Sequence, residues 1–234
     1  MLEIDRLSTF YGQFQALKDV SINVTDGELV AVFGPNGHGK STLLKTVCGL
    51  LVPSAGFIKY DGQQIHGLAT QRIVEMGIVY IPEDRYLFPD LTVLENLRLG
   101  AYNRNARQNE KTNLAYVFDL FPRLKDWRSR QASTLSGGEA RMLAIARGLM
   151  SSPKFIAIDE PSVGLAPNLR SEVFRKIKDI SASGISILLV EQNVLEASEI
   201  AERVYLMEDG RIVREGREEE ILRDENVREV FLGV

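Results

Sequence analysis

Eight residues, Gly34-Pro35-Asn36-Gly37-His38-Gly39-Lys40-Ser41, follow the spacing G-x-x-x-x-G-K-[ST], and each constant position answers a need of a bound phosphate. Glycines let backbone N–H groups turn inward around phosphate oxygens with no Cβ in the way. A helix that begins at Lys40 would aim its N-terminal dipole at the same anion and carry Thr42 into the cradle. Lys40 is expected to set a point charge on the outer phosphates, and Ser41 to offer its hydroxyl to Mg2+. Average composition would yield such a match in about one chain of this length in a hundred. His38 occupies a variable position with no chemical role in the pattern and is expected to face solvent within the loop.

Two further runs carry chemistry. Phe155-Ile156-Ala157-Ile158-Asp159-Glu160-Pro161 is an apolar strand ending in two acids. Adjacent strand residues face opposite sides, yet a strand end at the carboxyl edge of a sheet can turn both towards the crevice where ligands bind. Asp159 is expected to reach Mg2+ through water, and Glu160 to orient and deprotonate an attacking water. Alone, such a pair is a weak signal; beside a phosphate loop it is strong. Leu135-Ser136-Gly137-Gly138-Glu139 is rarer still, with chance odds on the order of one in two thousand. It opens a helix with Ser136 as N-cap, and its two glycines weaken that helix unless bare backbone must approach a γ-phosphate.

The elements that must hold these residues are legible from periodicity. Leu2–Leu7 and Val20–Val24 alternate as half-buried strands, with a turn at Asp26-Gly27. Leu29–Phe33, Phe155–Ile158 and Ile185–Val190 are continuous apolar runs, the mark of strands buried on both faces. Gly77–Ile81 reads as another strand. Leu43, Leu44, Val47 and Leu51 share one helical face; so do Leu114, Val117, Phe118 and Phe121, then Met142, Ile145, Ala146 and Leu149, then Val173, Ile177 and Ile180. Arg203–Met207 and Arg211–Val213 read as a hairpin around Asp209-Gly210. Strands alternating with helices imply an α/β fold with a mostly parallel sheet. The helix-only stretch, about 91–150, is expected to be a lobe inserted into it, with 1–90 and 151–234 forming the core.

Composition narrows the class. The chain has 234 residues, 44% of them hydrophobic, with a formal net charge of −4 and a single cysteine, Cys48. That charge offers no basic footprint for nucleic acid. One cysteine permits no intrachain disulfide, and Cys48 is expected to be a buried apolar residue. Met1-Leu2-Glu3-Ile4-Asp5-Arg6 lacks the pattern of a secretory signal, and no apolar run approaches the roughly 18 residues of a membrane span. Any membrane contact is therefore expected to run through a partner. Glu218-Glu219-Glu220 is expected to be a solvated helix start, and Trp127 to pack in the helical lobe.

With the phosphate loop, the acid pair and Leu135–Glu139 together, the chain resembles the ATP-binding cassette (ABC) transporter ATPases over essentially its whole length. The resemblance implies a P-loop NTPase core with an N-terminal antiparallel β subdomain. It implies that two such domains, this chain and a related one or two copies, sandwich ATP face to face. Ser136, Gly137 and Gly138 of one domain would then cap the ATP held by the other. Tyr11 would stack on adenine, and Ser162-Val163-Gly164-Leu165 would cross to the opposite site.

Finer motifs resemble the shorter ATPase of branched-chain amino-acid uptake systems: Ile81–Pro89, Leu91–Leu97, Leu120–Leu124, Gly164–Pro167, Val190–Asn193 and Phe231–Val234. That implies two membrane permease subunits, a solute-binding protein outside, and a place at the cytoplasmic face of the membrane. Importers of urea and short amides share these motifs. By the same resemblance Glu83–Tyr102 forms a groove for a short helix of the permease, although its apolar residues also suit an ordinary core.

Three positions depart from the broad family pattern. Glu83 stands where Gln is usual, Gln192 where His is usual, and Ala166 where Asp is usual. A carboxylate at Glu83 can ligate Mg2+. The Gln192 amide can donate to a γ-phosphate oxygen but carries no charge, so slow hydrolysis or a clamp role beside a more active subunit is a second expectation. A small-molecule kinase and a soluble repair or translation ATPase are the remaining rivals; the signature disfavours the first, and the single uninterrupted cassette the second.

Overall fold

The computed structural model describes residues 1–217, 220 and 221. In chain order the strands and helices are β1 (Leu2–Tyr11), β2 (Phe14–Val24), β3 (Leu29–Phe33), α1 (Lys40–Val47), β4 (Ala55–Tyr60), β5 (Gln63–Gln64), α2 (Thr70–Glu75) and β6 (Ile78–Ile81). Five helices follow without a strand: α3 (Val93–Gly100), α4 (Arg104–Gln108), α5 (Glu110–Leu120), α6 (Pro122–Asp126) and α7 (Gly137–Leu149). The chain then returns through β7 (Phe155–Asp159), α8 (Pro167–Ala182), β8 (Ser186–Glu191), α9 (Val194–Ser198), β9 (Arg203–Glu208) and β10 (Arg211–Gly216).

Two sheets result. β2-β1-β4-β5 is antiparallel, and β10-β9-β3-β8-β7-β6 is parallel except for its terminal hairpin. The expected α/β architecture with an antiparallel N-terminal sheet is the one found. β3 shows why its run is continuously apolar. Leu29, Ala31 and Phe33 enter a core shared with α3, α7 and α8, while Val30 and Val32 enter a second core with β1, β2 and α1. A strand with period two feeds both layers.

Some boundaries differ from expectation. β1 continues past Leu7 to Tyr11, through register shifts and a left-handed Arg6 that disguise its alternation. α1 stops at Val47, so Leu51 lies beyond it. β8 runs one residue further than its apolar stretch and takes in Glu191. The short α2, α4, α6, α9 and β5 hold too few residues to show a period, and β4 is not among the expected strands. Among the anticipated small features, Cys48 is buried, and Trp127 packs against the main core with Arg130 over its ring at 5.2 Å. Glu218, Glu219 and Phe231–Val234 lie outside the described residues.

Candidate functional site

β3 delivers the phosphate loop to the carboxyl edge of the parallel sheet, and α1 begins at Lys40. Gly39 is the N-cap at φ 102, and a Cβ there would sit 2.7 Å from the Ala16 carbonyl oxygen, so only glycine fits. Among the described residues, the N–H groups of Gly37 to Ser41 have no backbone acceptor. They form the start of a helix whose donors await an anion.

Lys40 is buried and its Nζ donates to the carbonyls of Gly34 (2.8 Å) and Pro35 (3.1 Å). The same Nζ pairs with Glu160 Oε1 at 3.1 Å. Ser41 Oγ donates to Asp159 Oδ1 at 2.9 Å, and Tyr80 Oη donates to Asp159 Oδ2 at 2.6 Å. Both acids are almost fully buried, with Glu160 only 6% exposed. Their shared direction has a backbone cause: Glu160 adopts φ 41 immediately after β7, which undoes the strand alternation and swings its carboxylate to the side of Asp159.

A crevice of about 350 Å3 is lined by Asn36, Gly37, Gly39, Lys40, Ser41, Thr42, Glu83, Glu160, Val163 and Gln192. The phosphate loop, the candidate base Glu160 and two of the three departing positions, Glu83 and Gln192, therefore share one cavity; Ala166 does not line it. Glu83 sits in the loop after β6, and its pKa is pushed up by burial and then by the negative Glu160, Asp159 and Asp84. Ser41, Asp159 and Glu83 supply a hydroxyl and two carboxylates, a hard oxygen set of the kind Mg2+ takes with one or two carboxylates and phosphates completing it. Among the described residues no cluster of three His, Cys, Asp or Glu could hold a metal ion.

Other residues sit elsewhere. Tyr11 ends β1 with its ring 45% exposed, beside the exposed Phe10 and Phe14, and does not line the crevice. Ser136 caps α7 as expected, in a capping box with Glu139, and Ser136, Gly137 and Gly138 do not line this chain's own crevice. At Gly138 a Cβ would lie 2.6 Å from Leu169 Cδ1 on α8, so that leucine side chain would have to shift. His38 corrects its expectation. It is half-buried, and its Nδ1 accepts the Asp209 N–H at 2.9 Å while its carbonyl accepts the Gly210 N–H at 3.1 Å, so it anchors the β9–β10 turn to the phosphate loop.

Three residues were missed. Tyr80 gave no signal beyond its place in a strand. Arg141, one turn before Ile145 on α7, is buried despite its charge; its Nη1 donates to the Pro82 carbonyl at 3.1 Å. Burial and then the like charge of Arg85 lower its pKa to about 10, with Glu83, Glu191 and Asp159 acting in the opposite direction. Glu191 is fully buried at the end of β8, where three backbone N–H groups surround its carboxylate.

The ABC transporter family model matches residues 17–163. The chain is 43% identical over 233 residues to the high-affinity branched-chain amino acid transport ATP-binding protein BraG of Pseudomonas aeruginosa, covering 100% of both. It is 36% identical to the "Probable branched-chain amino acid transport ATP-binding protein LivF" of Archaeoglobus fulgidus, covering 100% of this chain and 99% of that one. It is 35% identical to the lipopolysaccharide export ATP-binding protein LptB of Acidithiobacillus ferridurans, covering 100% and 97%. The structure matches an ABC transporter cassette in its ADP conformation with a TM-score of 0.87 at 30% identity, covering 100% and 99% of the two chains. It matches a dimeric bacterial ABC transporter cassette with a TM-score of 0.80 at 25% identity, covering 93% and 98%.

Proposed function

This chain belongs to the ABC transporter family, as an ATP-binding cassette that hydrolyses ATP to energise a transporter, and from that premise we propose that its transporter imports branched-chain amino acids. The observation that carries the solute class is the full-length similarity to BraG, supported by the Ile81–Pro89 and Val190–Asn193 runs. The cassette would work as one of a pair, with a related ATPase or a second copy, against two permease subunits fed by an external solute-binding protein. Among the described residues no helix is long and apolar enough to cross a membrane, so the proposed place at its cytoplasmic face depends on those permeases.

In this mechanism the loop Gly34–Thr42 holds the ATP phosphates, with the backbone N–H groups from Gly37 onward as donors, Lys40 leaves Glu160 for the outer phosphates, and Tyr11 stacks on adenine. Ser41, Asp159 and Glu83 would hold Mg2+, which when bound neutralises β- and γ-phosphate oxygens. Glu160, freed from Lys40, orients the attacking water and takes its proton. Gln192 donates to a γ-phosphate oxygen. Ser136, Gly137 and Gly138 cap the partner's ATP, and residues 91–150 move as the lobe that carries them. Closure is favoured only by contacts unique to the closed pair.

Reconstitution with its permeases tests the solute. ATP-dependent uptake of leucine that exceeds uptake of urea or acetamide supports the proposal; the reverse order assigns the chain to an amide importer. Gln192 and Ala166 favour one second reading, a slowly hydrolysing clamp beside a more active subunit. Gln192→His should then raise single-turnover hydrolysis in the assembled complex, and an unchanged rate would sink that reading.

A further inference from the structure

The ladder between β7 and β8 ends at the pair Asp159 and Val190, with one more bond from Glu160 N–H to the Val190 carbonyl at 3.0 Å. Beyond that point the two chains leave the sheet in different directions. One becomes the loop Pro161–Ala166, the other the turn Gln192-Asn193. A side chain continues the connection. Glu191 Oε1 accepts the Ser162 N–H at 2.8 Å, and Oε2 accepts the N–H groups of Gln192 at 3.0 Å and Asn193 at 3.2 Å.

We propose that Glu191 is the positioning residue of the hydrolytic site, fixing the separation between Glu160 and Gln192 by tying together the two loops that carry them. It does not line the crevice and would act only through those loops. It rests on the reading of Glu160 as base and Gln192 as γ-phosphate donor given above.

The chemistry of the group favours this role over simple packing. Glu191 is fully buried, and burial raises its pKa while the Ser162, Asn193 and Gln192 bonds act in the opposite direction. An aliphatic side chain would fill the same space at less desolvation cost. It would also leave three N–H groups without acceptors. An amide replaces one acceptor oxygen with a donor facing N–H groups. Only a carboxylate offers two acceptor oxygens and no donor, which is what two converging loops need. Glu160 depends on that anchorage, because its left-handed backbone at φ 41 is stable only if its neighbours hold it.

The test uses the full chain in its transporter complex, with MgATP turnover and MgATP affinity measured for wild type, Glu191→Gln, Glu191→Asp and Glu160→Gln. Glu191→Gln should bind MgATP within about twofold of wild type and lose about 100-fold in kcat, the scale of loss for an approximately 1 Å misplacement. Glu191→Asp, which keeps both acceptors, should recover part of kcat without changing KM. A wild-type kcat in Glu191→Gln, or a rise in KM that matches the fall in kcat, overturns the proposal. A slowed Glu160→Gln beside an unchanged Glu191→Gln overturns it alone; a wild-type rate in Glu160→Gln overturns the base assignment beneath it.

Discussion

Asp159 and Glu160 are consecutive, yet both carboxylates face the phosphate loop because one residue adopts φ 41. The strand and its two acids were legible from the apolar run; the left-handed turn was not, since nothing in Glu160-Pro161 announces it. Glu191 and Arg141 were illegible for a related reason. Each is a charged residue, a type rarely buried without a partner, and each is buried by contacts distant in sequence. Cys48 shows the opposite case, where type alone sufficed. Burial, with the Asp159 charge adding to it, pushes its thiol up to about 12. Native protein at pH 8 should therefore resist iodoacetamide and react once unfolded. The sign of the linkage follows: the unfolded chain loses this proton first, at about pH 8.5, so this contribution to stability is intact below that pH and falls as pH rises towards the folded value.

At the scale of elements, the loop between β6 and α3 is gripped from several sides. Arg141 Nη1 holds the Pro82 carbonyl, and Arg147 donates to the carbonyls of Arg85 (2.9 Å) and Tyr86 (2.7 Å). Asn96 is fully buried; its Oδ1 accepts the Phe88 N–H at 2.9 Å, and its Nδ2 donates to the carbonyls of Phe88, Leu91 and Thr92. Asn96→Ala strands those groups and should lower stability by about 2 kcal/mol in urea titration, with the loop's grip on α3 lost. At the phosphate loop, Gly39→Ala meets the Ala16 carbonyl oxygen at 2.7 Å in a left-handed backbone and should abolish ATP binding in a fluorescent-nucleotide titration. The Gly39 requirement was readable from the motif. The Asn96 network was not, because a buried amide looks like any helix-surface Asn in a sequence.

For the whole molecule, the region Glu83–Tyr102 divides between the two roles considered for it. Val93 and Leu97 are core, whereas Tyr86 is 65% and Phe88 50% exposed, with Leu99 and Tyr102 also outward. Cys48, Ile78–Pro82, Arg85, Tyr86, Phe88, Leu99 and Arg147 line an apolar groove of about 460 Å3 here. A permease helix seated in it could carry motion from one body to the other. Phe88→Arg should leave ATP binding unchanged and abolish solute uptake in the reconstituted transporter; loss of ATP binding would mean a core role. The layered α/β fold was readable from alternating patterns, while the pairing of strands distant in sequence, such as β3 between β8 and β9, required the structure.

The most direct measurement is ATP turnover by the chain alone and in its permease complex, beside Glu160→Gln. Turnover that rises in the complex and falls at least about 100-fold in Glu160→Gln, with MgATP affinity kept, is the predicted result for a coupled motor whose base is Glu160. Turnover unchanged by Glu160→Gln would contradict it and place the chemistry in the partner's site.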